Sequence, residues 1–209
     1  MSSTPQKIAI VGAGNVGQAL STGWQKAGHQ LALVARDAQS PKTQTALALL
    51  GDVPVLTLTE ATQWANVILI SVPADAVNML ADDLKGYQGI VIDATNSIRP
   101  RTDGYETAWH YLDATLGLPK LIKCFNTTGA ENMANPVYHG TGTTMLLAGH
   151  DEEAKVVVTQ LALDLGFGEC LDLGGAAQVG LVEAFAKVWI NLAIMKGQGR
   201  NIAWQLARR

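Results

Sequence analysis

The sequence predicts an α/β protein with a doubly wound, mostly parallel sheet and a C-terminal helical extension. Two observations support this prediction. Short apolar runs alternate with stretches of helical periodicity through residues 7–173, and the first run leads into a glycine-rich turn. After Gly174 the chain continues as one long helical pattern. We therefore predict a sheet domain over residues 1–173 and a helical extension over residues 174–209.

Composition narrows the class of protein. The 209 residues suffice for one main core, and 48% hydrophobic with 16% charged residues indicates an ordered globular protein. A net charge of −3 gives no reason to expect a nucleic acid or an anionic membrane as partner. Two cysteines and a short polar start predict a cytoplasmic protein without a disulfide framework. Residues 181–195, the longest apolar stretch, contain polar residues and look too short to cross a bilayer, so no membrane segment is expected.

The first strand and the turn after it predict a dinucleotide site. Residues 7–11 (KIAIV) are an apolar, β-branched run too short for a helix, and a helical pattern follows the GxGxxG of Gly12, Gly14 and Gly17. Gly12 would permit the tight turn, Gly14 would let the backbone approach a pyrophosphate, and Gly17 would let helix and strand pack closely. The N–H groups at the start of that helix would face the anion.

The end of the second strand bears on the choice between NAD and NADP. Residues 30–35 form another apolar run, which completes a βαβ unit. An acidic residue at this strand end would bind the ribose of NAD, but that place falls on Ala35, followed by Arg36. A guanidinium suits a 2′-phosphate, so NADP is favoured. NAD remains an alternative cofactor, because a shift of the register would make Asp37 the ligand of the ribose.

The remaining strands and helices alternate along the chain. Further strands are predicted at residues 53–58, 66–71, 88–93, 118–125, 143–149 and 167–171. Helices are predicted at residues 43–50, from a Thr59 cap to residue 65, at 74–85, 107–114 and 152–165, and after Gly175 with a break near Gly197 and Gly199.

Short polar or turn-forming residues follow three of these strands. A ligand of an open α/β sheet lies beyond the carboxyl ends of the strands, so these residues are predicted to border the middle of the cofactor, its ribose or its nicotinamide. Ordinary strand exits, Asx turns and helix caps are the alternative explanation. The residues concerned are Ser71, Val72, Pro73, Asn96, Asn126 and Thr127.

No pattern identifies a catalytic acid, base or nucleophile, and no metal site is predicted. Cys124 is interpreted as a small buried hydrophobe. Lys187 is the residue to suspect as a base, although a lysine whose stem covers apolar surface explains it as well. The four histidines lack the spacing of metal ligands: His29, His110, His139 and His150.

Four segments together resemble a known family. They are the GAGNVG loop with Arg36, the SVP turn of residues 71–73, KCFNTTGA at 123–130 and LVEAFAKVWINLAIMKGQGRNIAWQL at 181–206. The chain resembles the small NADP-dependent oxidoreductases typified by archaeal coenzyme F420:NADP oxidoreductase. It is also similar to the cytosolic domain of the STEAP metalloreductases, without a counterpart of their membrane domain.

The resemblance implies where NADP would bind, with a second ring system stacked on the nicotinamide. Ala35 and Asn126 differ from the hydroxyl residue and the histidine that the resemblance leads us to expect, so the electron acceptor stays open. The implied contacts are Arg36 after Ala35 for the 2′-phosphate, Gly14, Asn15 and Val16 for the pyrophosphate, and Val72, Asn126 and Thr127 on the nicotinamide side.

Three functions fit these features. The first is hydride transfer between NADP(H) and a flavin-like or deazaflavin acceptor such as coenzyme F420, which needs positioning more than a strong acid or base. The second is a dehydrogenase or reductase of a small hydroxyacid, carbonyl or imine, disfavoured because only 35 residues follow Gly174 to build a substrate domain. The third is a non-enzymatic NADPH sensor.

The wide apolar surface of the last helix predicts packing on the domain or on a second subunit, and we expect a homodimer.

Overall fold

The computed structural model describes residues 4–99, 101 and 103–209. Its strands are β1 (Lys7–Val11), β2 (Gln30–Val34), β3 (Val55–Leu56), β4 (Val67–Ile70), β5 (Ile90–Asp93), β6 (Leu121–Cys124), β7 (Val137–Tyr138), β8 (Thr141–Gly142), β9 (Thr144–Gly149) and β10 (Glu169–Asp172). Its α-helices are α1 (Asn15–Lys26), α2 (Pro41–Leu50), α3 (Leu58–Trp64), α4 (Ala81–Leu84), α5 (Ala108–Leu116), α6 (Ala130–Ala134), α7 (Glu152–Asp164) and α8 (Val179–Ile190).

The sheet confirms the predicted fold class. Within the described residues, eight strands form one sheet in the order β10-β9-β6-β5-β4-β1-β2-β3, and β7 pairs with β8 separately. The strands from β3 to β6 are parallel, whereas β9 runs antiparallel to β6. The order β3-β2-β1-β4-β5-β6 is that of the doubly wound Rossmann fold.

Helices cover both faces of the sheet, so the buried strands carry apolar residues on both sides. On one face Trp24 of α1 is fully buried, donates a hydrogen bond to the Leu161 carbonyl of α7 at 2.9 Å and packs edge-to-face on Phe125. On the other face Trp109 of α5 and Val182 of α8 are fully buried against the sheet. The two cores hold the strand ends, and with them the loops that follow, in fixed positions.

Several element bounds differ from the predicted ones for local reasons. The third strand is only Val55–Leu56, because Thr57, rather than the predicted Thr59, caps α3 in a reciprocal capping box with Glu60. The predicted helix over residues 74–85 is a 3₁₀ segment, Ala74–Leu80, followed by the single turn of α4. The last strand begins two residues later than predicted, at Glu169.

The C-terminal extension is a continuous helix over Ala176–Met195, which includes α8, followed by an irregular segment. By length and composition alone this helix, which extends beyond the apolar stretch of residues 181–195, could cross a membrane. One third of its most apolar window is nevertheless buried inside the protein. Past the helix the chain folds back, because Trp189 Nε1 donates to the Ile202 carbonyl at 2.6 Å and the Thr144 amide donates to the Trp204 carbonyl at 2.8 Å.

Candidate dinucleotide-binding site

The candidate site lies in the crevice at the carboxyl ends of β1 and β4. The strand order reverses between these neighbours, with β2 on the far side of β1 and β5 on the far side of β4. Doubly wound sheets bind dinucleotides at this point. Gly12 leaves β1 and Ser71 leaves β4 here, and the two strands pair through Val11 and Ile70. The fold thus joins two segments that are distant in the sequence.

The three glycines of the loop are required for different reasons. Gly12 has φ of +117°, and a Cβ on it would lie 2.6 Å from the Ser71 carbonyl oxygen. A Cβ on Gly17 would lie 2.1 Å from the Gly12 carbonyl oxygen. A Cβ on Gly14 would meet no described atom within 4 Å. Gly12 and Gly17 therefore serve the turn and its packing, and Gly14 leaves space for a ligand.

The N-terminus of α1 has the properties of an anion site. The helix has Gly14 as its N-cap, and no side chain of the described residues caps it. Its first turn, which contains Asn15 and Val16, holds no acidic side chain. The unpaired amide donors and the helix dipole at such an end favour a phosphate.

The turn after β4 supports the glycine loop. The Ser71 hydroxyl lies 3.2 Å from the Val11 carbonyl oxygen and 3.1 Å from that of Gly12, and it donates to them. This side chain holds the turn in place rather than extending into the crevice. Val72 is half-buried and Pro73 is exposed, so these two residues are left to border a ligand.

Arg36 lies exposed after the end of β2. The strand ends at Val34, one residue earlier than predicted, so that Ala35 and Arg36 begin the loop. Asp37 Oδ1 accepts a hydrogen bond of 2.8 Å from the Gln39 amide, which closes an Asx turn. One oxygen of this carboxylate is therefore engaged by its own loop.

Asn96 and Asn126 come together at the carboxyl ends of β5 and β6, where Asn126 Nδ2 lies 3.4 Å from Asn96 Oδ1. Asn126 is buried, and its Oδ1 has no hydrogen-bond partner among the described residues. A buried acceptor without a partner costs free energy that a ligand donor such as a carboxamide N–H would recover. Thr127 does not join this pair, because its hydroxyl lies 3.4 Å from Met145 Sδ in the interior.

The sequence analysis did not single out the backbone turn at Phe125. This fully buried residue has φ of +61°, a left-handed conformation that residues other than glycine rarely adopt. Such conformations persist where the surrounding packing enforces them, and they concentrate at functional sites. Here the packing partner is Trp24, and the turn determines where Asn126 points.

A cluster of three buried charges lies beneath this edge of the sheet. Lys123 Nζ lies 3.0 Å from Asp93 Oδ2, 2.6 Å from Glu183 Oε1 and 2.5 Å from the Thr95 carbonyl oxygen. The three charged residues are at most 2% exposed. Sequence reasoning missed this cluster, although each of these residues interrupts or ends an apolar run, in GIVID, LIKCF and LVEAF.

The cluster connects the helical extension to the candidate site. Burial alone would lower the pKa of Lys123, but the carboxylates of Asp93 and Glu183 outweigh it and raise that pKa. Lys123 is therefore protonated at neutral pH. Glu183 Oε2 accepts a 3.2 Å hydrogen bond from the Ser97 amide, next to Asn96. One buried cation thus holds together β5, β6, α8 and the loop that carries Asn96.

A cavity of about 580 Å³ adjoins the nicotinamide side of the predicted site. This volume lies in the range of small-molecule pockets. Arg101 pairs with Asp103 at its wall, and this hydrogen bond lowers the pKa of Asp103 to about 2. The lining of this cavity includes Pro73, Asn78, Asn96, Ser97, Ile98 and Arg99.

Within the described residues, no group of His, Cys, Asp and Glu could hold a metal ion.

The strand order, the glycine loop and the uncapped helix N-terminus define a Rossmann-type dinucleotide-binding protein. Residues 7–97 match the family model described as NADP oxidoreductase, coenzyme F420-dependent. This match agrees with the resemblance drawn from the sequence, and residues 7–97 are similar to that family. Among curated proteins, none matches this chain.

Solved structures share the fold. A candidate F420-dependent NADP reductase from Arthrobacter sp. FB24 has 23% identity and a TM-score of 0.80 over 97% of this chain and 100% of its own. The hypothetical protein SMa0349 from Sinorhizobium meliloti has 23% identity and a TM-score of 0.68 over 99% of this chain and 97% of its own. A reductive aminase from Aspergillus terreus, in complex with NADPH and ethyl levulinate, has 17% identity and a TM-score of 0.66 over 93% of this chain and 63% of its own.

Proposed function

We propose that this protein binds NADP(H) and transfers a hydride between it and a flavin-like or deazaflavin acceptor. The observation that carries the proposal is the loop at Gly14, which leaves open space in front of an uncapped helix N-terminus. The pyrophosphate would bind there, against the backbone of Asn15 and Val16, and Arg36 would contact the 2′-phosphate.

The nicotinamide end would lie at the edge formed by β5 and β6. The unpartnered Oδ1 of Asn126 fits the carboxamide of the nicotinamide as donor, with Val72 nearby at the end of the neighbouring strand β4. When bound, NADPH supplies the hydride. The cavity beside Pro73 and Asn96 would take the acceptor, and its volume of about 580 Å³ suits a fused ring system. The protein's own contribution would be to hold the two rings in register and to exclude water.

Replacing Arg36 with Ala tests the phosphate assignment. We expect the affinity for NADPH to fall roughly 10- to 100-fold, the loss of one charge-assisted contact, while the affinity for NADH changes little. Titrations followed by nucleotide fluorescence would measure both dissociation constants.

Lys85→Ala is the matched control for the Arg36 variant, since it removes one positive charge after α4, away from the site. It should leave both affinities unchanged. Equal losses of NADPH and NADH affinity in the Arg36 variant would show that Arg36 does not read the phosphate.

The acceptor is tested by NADPH oxidation across flavins, the deazaflavin coenzyme, ferric chelates, quinones and small carbonyls or imines. We expect turnover with the planar acceptors, flavin or deazaflavin, and none with small carbonyls. Tight NADPH binding without oxidation by any acceptor would instead favour the sensor function.

A reductase of small carbonyls or imines is the second candidate, and one observation favours it. Lys187 lines a cavity of about 440 Å³ together with Ser97 and Ile98, so a titratable group borders the candidate site. The likeness to a reductive aminase agrees with this alternative, although the present chain spans 63% of that enzyme's length. Lys187→Ala discriminates between the two functions. Unchanged turnover on every active substrate removes the second candidate.

A further inference from the structure

Residues 94–98 leave β5 as an irregular segment, yet charged side chains fix the backbone just before Asn96. The Thr95 amide donates to Asp93 Oδ1 at 2.9 Å, and the Thr95 carbonyl oxygen accepts from Lys123 Nζ at 2.5 Å. Both hydrogen-bonding groups of this backbone unit are therefore bonded to the buried charge cluster.

The backbone just after Asn96 is fixed by Glu183 of α8. The Ser97 amide donates to Glu183 Oε2 at 3.2 Å, and the Ser97 hydroxyl oxygen accepts from the Ala108 amide, at the start of α5, at 3.1 Å. Ser97 is buried, whereas Asn96 is half-buried and lines the cavity beside the candidate site. The cluster thus holds Asn96 from both sides while leaving its side chain at the cavity.

The position of Asn96 bears on the orientation of the Asn126 amide. Asn126 Nδ2 lies 3.4 Å from Asn96 Oδ1, and Asn126 Oδ1 is left without a partner among the described residues. This contact decides which end of the Asn126 amide is free for a ligand. A displaced Asn96 would let the amide turn over and present a donor where an acceptor is needed.

The stability of the fold does not by itself explain the buried charges. Replacing a buried ion pair by apolar residues of similar volume is often neutral or even stabilising. Glu183 nevertheless uses its two oxygens on two different donors, with Lys123 Nζ 2.6 Å from Oε1 and the Ser97 amide on Oε2. An apolar side chain could pack α8 on the sheet, but it could not bind the loop.

We propose that Glu183 is a positioning residue for the nicotinamide. Through Ser97 it would hold Asn96, and through Asn96 it would hold the Asn126 amide that receives the carboxamide. This inference rests on the proposed NADP(H) function and adds to it a residue of the helical extension. It predicts that changing Glu183 weakens binding of the nicotinamide and leaves binding of the phosphates intact.

Glu183→Gln tests the proposal through two ligands, NADPH and 2′-phospho-ADP-ribose, which has the same phosphates but no nicotinamide. Glutamine has one acceptor oxygen and a nitrogen that only donates, so it cannot accept from both Lys123 and the Ser97 amide. We expect the affinity for NADPH to fall roughly 5- to 10-fold, the loss of one hydrogen bond, and that for the fragment to change less than about twofold. Titration calorimetry would measure both dissociation constants.

Glu152→Gln is the matched control, because it also removes a carboxylate that pairs with a lysine. Glu152 lies 2.7 Å from Lys155 at the start of α7. The preceding strand β9 ends at Gly149, which pairs with Ile122 near the beginning of β6, so this pair lies at the opposite edge of the sheet from Asn126. Both affinities should match wild type.

A double-mutant cycle separates positioning from a general loss of structure. Asn126→Ala should show the same loss of NADPH affinity with the fragment unaffected. Because Glu183 would act through Asn126, the double variant should bind NADPH no more weakly than Asn126→Ala alone. Additive losses, or equal losses of NADPH and fragment in Glu183→Gln, would overturn the proposal.

Glu183→Asp keeps the test decisive if Glu183→Gln fails to fold. It retains the charge beside Lys123 but is one methylene shorter, so it should lose the Ser97 contact and show the same ligand-selective effect. An aspartate variant with wild-type affinity for both ligands would contradict the proposal. A thermal melt of each variant reports its folding.

A kinetic measurement extends the test wherever an acceptor is reduced. At saturating NADPH, hydride transfer in a single turnover should slow on the order of 10- to 100-fold in Glu183→Gln, because the ring is no longer held in place, and should be unchanged in Glu152→Gln. A wild type that binds NADPH but reduces no acceptor would refute the proposed transfer, while the binding comparison still decides the role of Glu183. A wild type that does not bind NADPH would refute both.

Discussion

Replacing Lys123 with Met should lower the free energy of unfolding by about 3–5 kcal/mol. The variant keeps most of the length of the side chain but leaves Asp93 and Glu183 as two buried carboxylates without their cation. Thermal and denaturant unfolding would measure the loss, which corresponds to a decrease in Tm of about 2–4 °C per kcal/mol for a chain of this size.

Lys155→Met is the matched control for this prediction. Lys155 also pairs with two carboxylates, those of Glu152 and Asp172, but these partners are 80% and 39% exposed. Water can solvate them when the lysine is removed, so the cost should stay below about 1 kcal/mol. Glu183→Gln should cost less than Lys123→Met, since Lys123 keeps Asp93. Similar losses for Lys123→Met and Lys155→Met would refute the special role of the buried cluster.

Replacing Gly14 with Val should abolish measurable NADPH binding while leaving the stability nearly unchanged. A side chain at this position meets open space in the protein, so the fold does not oppose it. The same space is where the pyrophosphate would approach the backbone, so the added methyl groups would occupy the ligand's place. Equilibrium NADPH titration and a thermal melt of the same sample would measure both effects.

Gly17→Ala gives the contrasting outcome at the third glycine of the motif. Its Cβ would lie 2.1 Å from the Gly12 carbonyl oxygen, and the backbone would have to shift. This variant should lose stability as well as binding. If Gly14→Val retained NADPH affinity, the placement of the pyrophosphate at this loop would be wrong.

Local sequence patterns predicted the parts of the fold that neighbouring residues decide. The first strand, Lys7–Val11, was predicted with its exact bounds because a β-branched run and a glycine turn delimit it. The helix ends at Met195, close to the predicted break near Gly197, which has φ of +65°. The prediction that the helical pattern continues after this break was wrong, because residues 201–209 are irregular. The predicted strand over residues 53–58 was too long, because the Thr57–Glu60 capping box begins α3. The predicted helix over residues 74–85 was also wrong, since Ala74–Leu80 is a 3₁₀ segment.

Part of the candidate site could likewise be predicted from local sequence patterns, and part could not. The glycine loop consists of consecutive residues, so it was identified without knowing which residues contact it. Thr127 was predicted at the ligand edge because it follows β6, yet its hydroxyl contacts Met145 in the interior. The direction of one side chain at a strand end depends on the turn before it, here the left-handed Phe125, and no sequence pattern specifies that turn.

The sequence by itself determined that this is a doubly wound sheet protein with a glycine loop and a basic residue after the second strand, because these features depend on residues adjacent in the chain. Only the tertiary structure decided that Asp93, Lys123 and Glu183 form one buried charge cluster. It also decided which face of the last helix is covered. The physical reason is that burial and ion pairing depend on residues that are far apart in the sequence. The role of a charged residue within an apolar run can therefore be interpreted only when its ion-pair partner is known.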